Sequence, residues 1–158
     1  VIKACEMRDA GLPAKEIAEQ IALLREKVHT TFILNTLDYL SRGGRCSAVT
    51  AFGANLLSIK PSIEMVDGAL EVGKKYRGKI ETVYGQYIRD QLSDPDKLDL
   101  SRAFLSHSGG GISEETLQAM KKEILRCAPF QEVQIIRAGC TISAHCGPKT
   151  ATVMFMEK

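Results

Sequence analysis

The chain of 158 residues has no tryptophan and few other aromatic side chains, with five Phe and four Tyr. Proteins that bind single-stranded nucleic acid stack the bases on such side chains, so the composition disfavours this class. The charge is nearly balanced as well, since 21 Lys and Arg oppose 19 Asp and Glu for a net charge of +2. Binding to a phosphate backbone requires a clearly basic surface. We therefore expect no nucleic-acid partner.

Long apolar stretches are also missing. The longest uncharged run covers residues 46–59 and contains the polar side chains Ser47, Thr50, Asn55 and Ser58. A membrane-spanning helix needs about 20 apolar residues, so we predict no integral membrane segment. The first thirty residues carry ten charges, which is not the pattern of a secretory signal peptide. Because the chain begins at Val1 rather than Met, we expect a fragment of a longer protein.

The five cysteines are an odd number and include no CxxC pair. A secreted disulfide framework has an even number of cysteines in a shorter chain, so this pattern favours a reducing compartment. We predict a cytoplasmic protein in which most cysteines are small buried hydrophobic residues.

Apolar periodicity predicts three longer helices. The first begins at Pro13, and its apolar stripe consists of Ile17, Ile21, Leu24 and Val28. The second covers residues 78–92, and the third covers residues 113–127 with Ser113 as its N-cap. Residues 4–10 are expected to be the tail of another helix that ends at Gly11. Short helices are predicted at residues 36–40 and 46–57.

Strands are predicted at residues 32–34, 59–66, 69–75, 100–106, 132–137 and 153–156. Asp67-Gly68 is a typical two-residue hairpin turn between the second and the third. Pro61 predicts that the second strand is either an edge strand or bulged. Because helices and strands mix along the chain, we predict an α/β (α+β) domain with a mixed β-sheet flanked by helices.

Residues 139–148, Gly-Cys-Thr-Ile-Ser-Ala-His-Cys-Gly-Pro, hold the most informative group of polar residues. They lie between two predicted strands, so we expect a surface crossing at one end of the sheet. The imidazole of His145 can donate a hydrogen bond to an anion, and glycine lets a ligand approach the backbone. The alternatives are a turn histidine satisfied by the backbone, a metal site with Cys140 and Cys146, and a Cys146 nucleophile. No second ligand pair completes a zinc site, and adjacent side chains usually point apart.

Two basic stretches are further candidates. Arg42-Gly43-Gly44-Arg45 follows a predicted short helix and could hold a phosphate or an acidic partner, or it could simply end the helix. Residues 74–79 carry four positive charges and could join it in one basic surface, or form a solvated strand end. The glycines at 109–111 follow His107 but match no phosphate-binding pattern, so we interpret them as a flexible connection.

These segments occur in a specific order along the chain. The ordered segments are 36–40 (Thr-Leu-Asp-Tyr-Leu), 42–45 (Arg-Gly-Gly-Arg), 57–61 (Leu-Ser-Ile-Lys-Pro), the Asp67-Gly68 turn and 144–148 (Ala-His-Cys-Gly-Pro). In this combination the chain resembles the C-terminal domain of the DegV family, which are bacterial fatty-acid-binding proteins. The resemblance spans about residues 13–155. It implies that residues 1–11 end a helix from an N-terminal domain and that residues 12–158 form the C-terminal lipid-binding domain.

The resemblance implies a carrier that buries one long-chain fatty acid, without catalysis and without a cofactor or metal. Some family members present the carboxylate to a fatty-acid kinase, which is the partner to expect. The family's Ala-His-x-Gly-Pro histidine helps to hold the carboxylate, and this role maps onto His145. The Gly-Gly-Arg motif maps onto Gly43, Gly44 and Arg45, near the carboxylate or the kinase-docking surface. The expected ligand-binding residues are Arg42, Arg45, Leu57, Ile59, Thr141, His145, Cys146 and Gly147.

The chain departs from the family pattern at three positions. Asn35 stands where Asp is common, Cys146 where Thr is common, and Lys149 where Gly is frequent. The Cys146 departure is expected to alter one hydrogen bond at the head group. The apolar residues Leu56, Leu57, Ile59 and Ile63 are candidate tunnel walls, or simply core. Two other function classes remain open: an enzyme domain using His145 with Cys146 or a metal, and a structural or oligomerising fragment that binds nothing.

Overall fold

The computed structural model describes residues 1–44, 59–66 and 68–158. The helices are α1 (Ile2–Asp9), α2 (Ala14–Leu24), α3 (Asp38–Arg42), α4 (Ile80–Gln91), α5 (Glu114–Cys127) and α6 (Cys140–Cys146). The strands are β1 (Val28–Ile33), β2 (Ile59–Val66), β3 (Ala69–Arg77), β4 (Ala103–His107), β5 (Val133–Arg137) and β6 (Ala151–Met156). The short helix predicted at residues 46–57 and the turn residue Asp67 lie outside the described residues. No helix in the described ranges is both long and apolar enough to cross a bilayer.

The six strands form one mixed sheet in the order β3-β2-β1-β6-β4-β5. All neighbouring pairs are antiparallel except β4 and β5, which are parallel. The predicted fold class is therefore confirmed. Of the two predictions made from Pro61, the bulge is correct and the edge strand is wrong. The register of β2 against β3 shifts between Pro61 and Ile63, while β2 lies between two strands.

Helices α4 and α5 cover one face of the sheet and build the main core. The five apolar residues predicted for the inner face of α4 are all buried: Ile80, Val83, Tyr84, Tyr87 and Ile88. Ser113 caps α5 as predicted, because its hydroxyl accepts the Thr116 N–H at 3.2 Å. Strand β6 alternates between buried residues on this face and half-buried residues on the other. The α4–α5 layer thus leaves the opposite face of the sheet to the remaining helices.

The opposite face meets α1 and α2, and here the predicted apolar stripe is partly wrong. Helix α2 ends at Leu24, a 3-10 turn covers Arg25–Lys27, and Val28 begins β1 instead of continuing the helix. A β-branched residue fits a strand better than a helix, and Val28 pairs with Met156 of β6. Val28 nevertheless lines the same apolar cavity as Ile21 and Leu24 of α2. The stripe therefore marks one apolar surface that passes from helix to strand.

Candidate functional site

Residues Cys140–Cys146 form α6 between β5 and β6, so the predicted surface crossing is a short helix. Gly139 lies at the N-cap, and Gly147 ends the helix with φ at +77°, a conformation that favours glycine. The helix is only seven residues long and contains Thr, Ile and Cys, which have low helix propensity. Its periodicity was therefore too short and too weak to indicate a helix. The consequence is that His145 lies in the last turn of a helix.

The half-buried imidazole of His145 packs against the end of α3. A Cβ atom added to Gly43 would overlap His145 Nδ1 and lie 3.1 Å from Cε1. The structure thus brings Gly43 of the first basic stretch against His145, although the two residues are about 100 positions apart in sequence. Within the described ranges, the side chain of His145 forms no hydrogen bond. A half-buried imidazole in this state has its polar capacity available for a ligand.

The turn that follows His145 is fixed by side-chain hydrogen bonds to its carbonyl oxygens. Ser108 Oγ donates to Gly147 O at 2.6 Å, and Thr150 Oγ1 donates to Cys146 O at 2.8 Å. Tyr84 OH of α4 donates to Lys149 O at 2.7 Å. Lys149 has φ at +60°, a conformation that favours glycine, which explains physically why Gly suits this position. The backbone beside His145 is therefore held by both the sheet and the core helix.

Replacing Ser108 by Ala is expected to lower the free energy of unfolding by about 1–3 kcal/mol, because the buried carbonyl of Gly147 loses its donor. Urea unfolding followed by circular dichroism measures this change. Ser93→Ala is the matched control, since Ser93 is exposed in a loop. Equal stability of the two variants would contradict the role of Ser108.

The Cys146 side chain lies in the second, smaller core cluster. Its side chain is 7% exposed and packs with Leu34, Leu37, Leu40 and Ile63. Burial raises the pKa of its thiol. The Cys146 side chain thus packs in the small core, as Ile63 does, and its head-group role stays a prediction. A low thiolate fraction also disfavours the nucleophile alternative.

Cysteine labelling tests this placement. At mildly alkaline pH, iodoacetamide should modify the exposed Cys140 quickly and Cys146 only after unfolding. The raised pKa of Cys146 means less thiolate at any given pH, and burial limits access of the reagent. Peptide mass mapping over time identifies each modified residue. Labelling of Cys146 as fast as Cys140 in the folded protein would favour a nucleophile.

The remaining predicted site residues have different surroundings. Thr141 is exposed one helical turn before His145, so the two side chains lie on one face of α6. Arg42 is exposed as the last residue of α3, and Ile59 is half-buried at the start of β2. Arg45, Leu56 and Leu57 lie outside the described residues. Among the described residues, no group of three or more His, Cys, Asp or Glu side chains could hold a metal ion.

Basic side chains lie on the segments next to α3 and α6. Lys60 of β2 donates to Asn35 O at 2.7 Å, and burial lowers the pKa of its ammonium group. Lys149 pairs with Glu81 at 2.9 Å, and this hydrogen bond lowers the pKa of the Glu81 carboxyl. In contrast, Lys74 of the second basic stretch pairs with Asp90 of α4 at 2.8 Å, which favours the solvated strand end for residues 74–79.

An apolar cavity of about 940 Å³ lies between the sheet and the α1–α2 pair. Its walls include, from the strands, Val28, Phe104, Ile136, Met154 and Met156, and from α2, Ala18, Ile21 and Ala22. A cavity of this size and character is typical of a site for a small apolar ligand. Sequence patterns did not indicate it, because its residues come from six separate segments.

Several contacts that build the site could not be predicted from the sequence. Tyr39 packs its ring against Gly147, since a Cβ there would lie 2.7 Å from Tyr39 Cγ. The glycine loop lies against the turn after α6, since a Cβ on Gly110 would be 3.1 Å from Pro148 Cβ. Ser108 and Tyr84 donate hydrogen bonds to the backbone carbonyl oxygens of Gly147 and Lys149. A backbone carbonyl has no residue-type signature, so only tertiary structure could show these contacts.

Solved structures share this architecture. A fatty-acid-binding DegV family protein from Thermus thermophilus is 25% identical with a TM-score of 0.79, and the match covers 99% of this chain and 55% of that one. The fatty acid kinase (Fak) B3 protein of Streptococcus pneumoniae, loaded with linoleic acid, has the same fold. It is 22% identical with a TM-score of 0.82, over 99% of this chain and 54% of that one.

Curated relatives carry the same family name. DegV domain-containing protein CPE2509 of Clostridium perfringens is 31% identical over 161 residues, covering 100% of this chain and 55% of that protein. DegV domain-containing protein CA_C0701 of Clostridium acetobutylicum is 29% identical over 162 residues, covering 100% of this chain and 54% of that protein. The chain thus spans about half the length of the curated relatives it matches. The model of the family described as "Uncharacterised protein, DegV family" matches residues 1–158, so the resemblance is confirmed and the chain belongs to the DegV family.

Proposed function

We propose that this chain is the lipid-binding part of a protein that holds one long-chain fatty acid, with the carboxylate at His145 and the tail in the apolar cavity. One observation carries the proposal. A half-buried imidazole whose side chain has no hydrogen bond in the described part of the chain lies in α6, the helix that precedes β6, and the far half of β6 lines the cavity. An acidic head and an apolar tail match these two surroundings. The Thermus relative, itself fatty-acid-binding, supports the same ligand class.

The distance between head and tail sites fits a long acyl chain. Strand β6 begins at Ala151, directly after the turn that follows α6, and Met154 and Met156 lie three and five residues further. At about 3.3 Å per residue, these positions are about 10–17 Å along the strand. One acyl chain spans half of a bilayer's hydrocarbon core of about 30 Å, which is about 15 Å. A fatty acid bound at His145 would thus reach the cavity along β6.

The energetics favour the same division of roles. Each CH₂ group that leaves water contributes about 0.8 kcal/mol, so the tail supplies most of the affinity. The carboxylate contributes less, but it needs donors because a buried unpaired charge is costly. His145 is the donor that we assign to it, with the Thr141 hydroxyl on the same helix face and positive charge nearby on Arg42 and Lys60.

This function is binding without catalysis and without a cofactor. The buried Cys146 and its raised thiol pKa weigh against the Cys/His enzyme alternative. We propose a fatty-acid kinase as the partner that receives the exposed carboxylate end, on the analogy of the pneumococcal Fak B3 relative. The proposed compartment is the cytoplasm, where the unpaired Cys5, Cys127, Cys140 and Cys146 would stay reduced.

Mass spectrometry of lipid extracted from the purified full-length protein tests the proposal. The expected result is about one equivalent of long-chain fatty acid per chain. The protein can also lose its lipid during purification. A delipidated sample is therefore titrated with palmitate or oleate, and the dissociation constant is measured. Absence of acyl lipid in the extract together with no binding of either acid would favour the structural or oligomerising alternative.

A further inference from the structure

Helices α3 and α6 contact each other through two reciprocal pairs, each formed by a glycine and a ring. Gly43, at the C-cap of α3, faces the imidazole of His145, and a Cβ at Gly43 would overlap Nδ1. Gly147, at the C-cap of α6, faces the ring of Tyr39, and a Cβ there would lie 2.7 Å from Cγ and 2.9 Å from Cε2. Each helix therefore ends in a glycine that makes room for a ring from the other helix.

We propose that Gly43 and Tyr39 are positioning residues, which set the orientation of His145 toward the carboxylate of the ligand. This inference rests on the proposed function. The Nδ1–Cε1 edge of the imidazole lies against Gly43. The opposite nitrogen, Nε2, is then the atom that reaches the carboxylate. A side chain at position 43 would push the ring out of this orientation.

The backbone conformation at Gly43 does not require glycine. Its φ is −77°, a value that every L-residue adopts easily, so alanine fits the backbone without strain. Gly147 differs, because its φ of +77° favours glycine and its ring contact also excludes a Cβ. Gly43→Ala is therefore the cleaner probe, since its only direct effect is on the atoms that it faces.

The small core cluster packs α3 against α6. Leu37 and Leu40 of the α3 segment pack with Cys146, the residue directly after His145. Tyr39 is 40% exposed, so its ring adds little to the core, and its contact is with the turn that carries Gly147. The imidazole of His145 thus contacts Gly43, and the turn that follows it at Gly147 packs against the Tyr39 ring.

The test measures the dissociation constant for oleate in the full-length protein. Gly43→Ala is expected to weaken binding about tenfold while the melting temperature stays near that of wild type. Gly139→Ala is the matched control, because a Cβ there meets nothing within 4 Å and its φ is negative. Tyr39→Ala should bind several-fold more weakly, since it removes the ring that contacts Gly147.

A double-mutant cycle separates positioning from general packing. In a His145→Ala background, Gly43→Ala should cause no further loss, because the ring that it displaces is already gone. The ligand-induced NMR shift of the His145 ring should also shrink in Gly43→Ala. An undiminished tenfold loss in the His145→Ala background, or wild-type affinity in both Gly43→Ala and Tyr39→Ala, would overturn the inference. If wild type itself binds no fatty acid, the proposed function fails, which is a distinguishable result.

Discussion

Replacement of His145 by Ala is expected to weaken fatty-acid binding by about 10- to 150-fold in the full-length protein. A hydrogen bond to a charged group contributes about 1.5–3 kcal/mol, and each 1.4 kcal/mol is a factor of ten in affinity. The tail contacts remain in this variant, so binding weakens but persists. Isothermal titration with palmitate, or displacement of a fluorescent fatty acid, measures the change.

The control for this variant is His29→Ala. His29 is on β1, where it stacks on Phe155 and pairs with Glu157 at 3.1 Å. It alternates along β1 with Val28, which lines the cavity, and lies on the same side of the sheet as Thr31, whose hydroxyl hydrogen-bonds to Tyr87 of α4. We expect the His29→Ala variant to bind fatty acid with wild-type affinity. An equal loss in both variants would mean that removing any histidine disturbs the fold, and an unchanged affinity in His145→Ala would remove the imidazole from the head-group site.

Replacement of Met154 by Glu is expected to abolish lipid binding, with a loss of at least about 100-fold. The new carboxylate would project from β6 among the apolar walls of the cavity. Seating an acyl chain against it would leave an unpaired charge away from water, which costs several kcal/mol. The measurement is the amount of fatty acid that co-purifies, with circular dichroism to verify the fold.

Met65→Glu makes the same chemical change outside the cavity. Met65 is 55% exposed near the β2–β3 turn, so its variant should retain the wild-type amount of lipid. The two sites also differ in character: loss of the head-group donor reduces affinity, whereas a charge in the tail site eliminates it. Lipid bound at the wild-type level in Met154→Glu would place the tail somewhere other than this cavity.

The parts of the fold that were predictable are those in which local chemistry and packing agree. Five apolar residues at helical spacing marked the buried face of α4, and a serine followed by two acidic residues marked the start of α5. Helix α6 was missed because two glycines bound only seven residues, most of them of low helix propensity. At Val28, the apolar spacing continued a helix pattern, but the strand pairing with Met156 decided its structure.

The candidate site was predictable only in part. The family resemblance indicated His145, and it placed the Gly-Gly-Arg segment either near the carboxylate or at the kinase-docking surface. Which atoms meet could not be predicted, since the contact of Gly43 with the imidazole joins residues about 100 positions apart. Cys146 was expected at the head group, but helix geometry turns it about 100° from His145 and into the small core. The cavity likewise exists only once α2 crosses the sheet.

A crystal structure of the full-length protein with a bound long-chain fatty acid would decide the placement of the ligand. We predict a carboxylate oxygen within about 2.6–3.2 Å of the His145 imidazole. We also predict an acyl chain that runs beside β6 to Met154 and Met156. A carboxylate beyond hydrogen-bond reach of His145, or a tail that leaves the cavity between the sheet and α2 empty, would contradict the proposed binding mode.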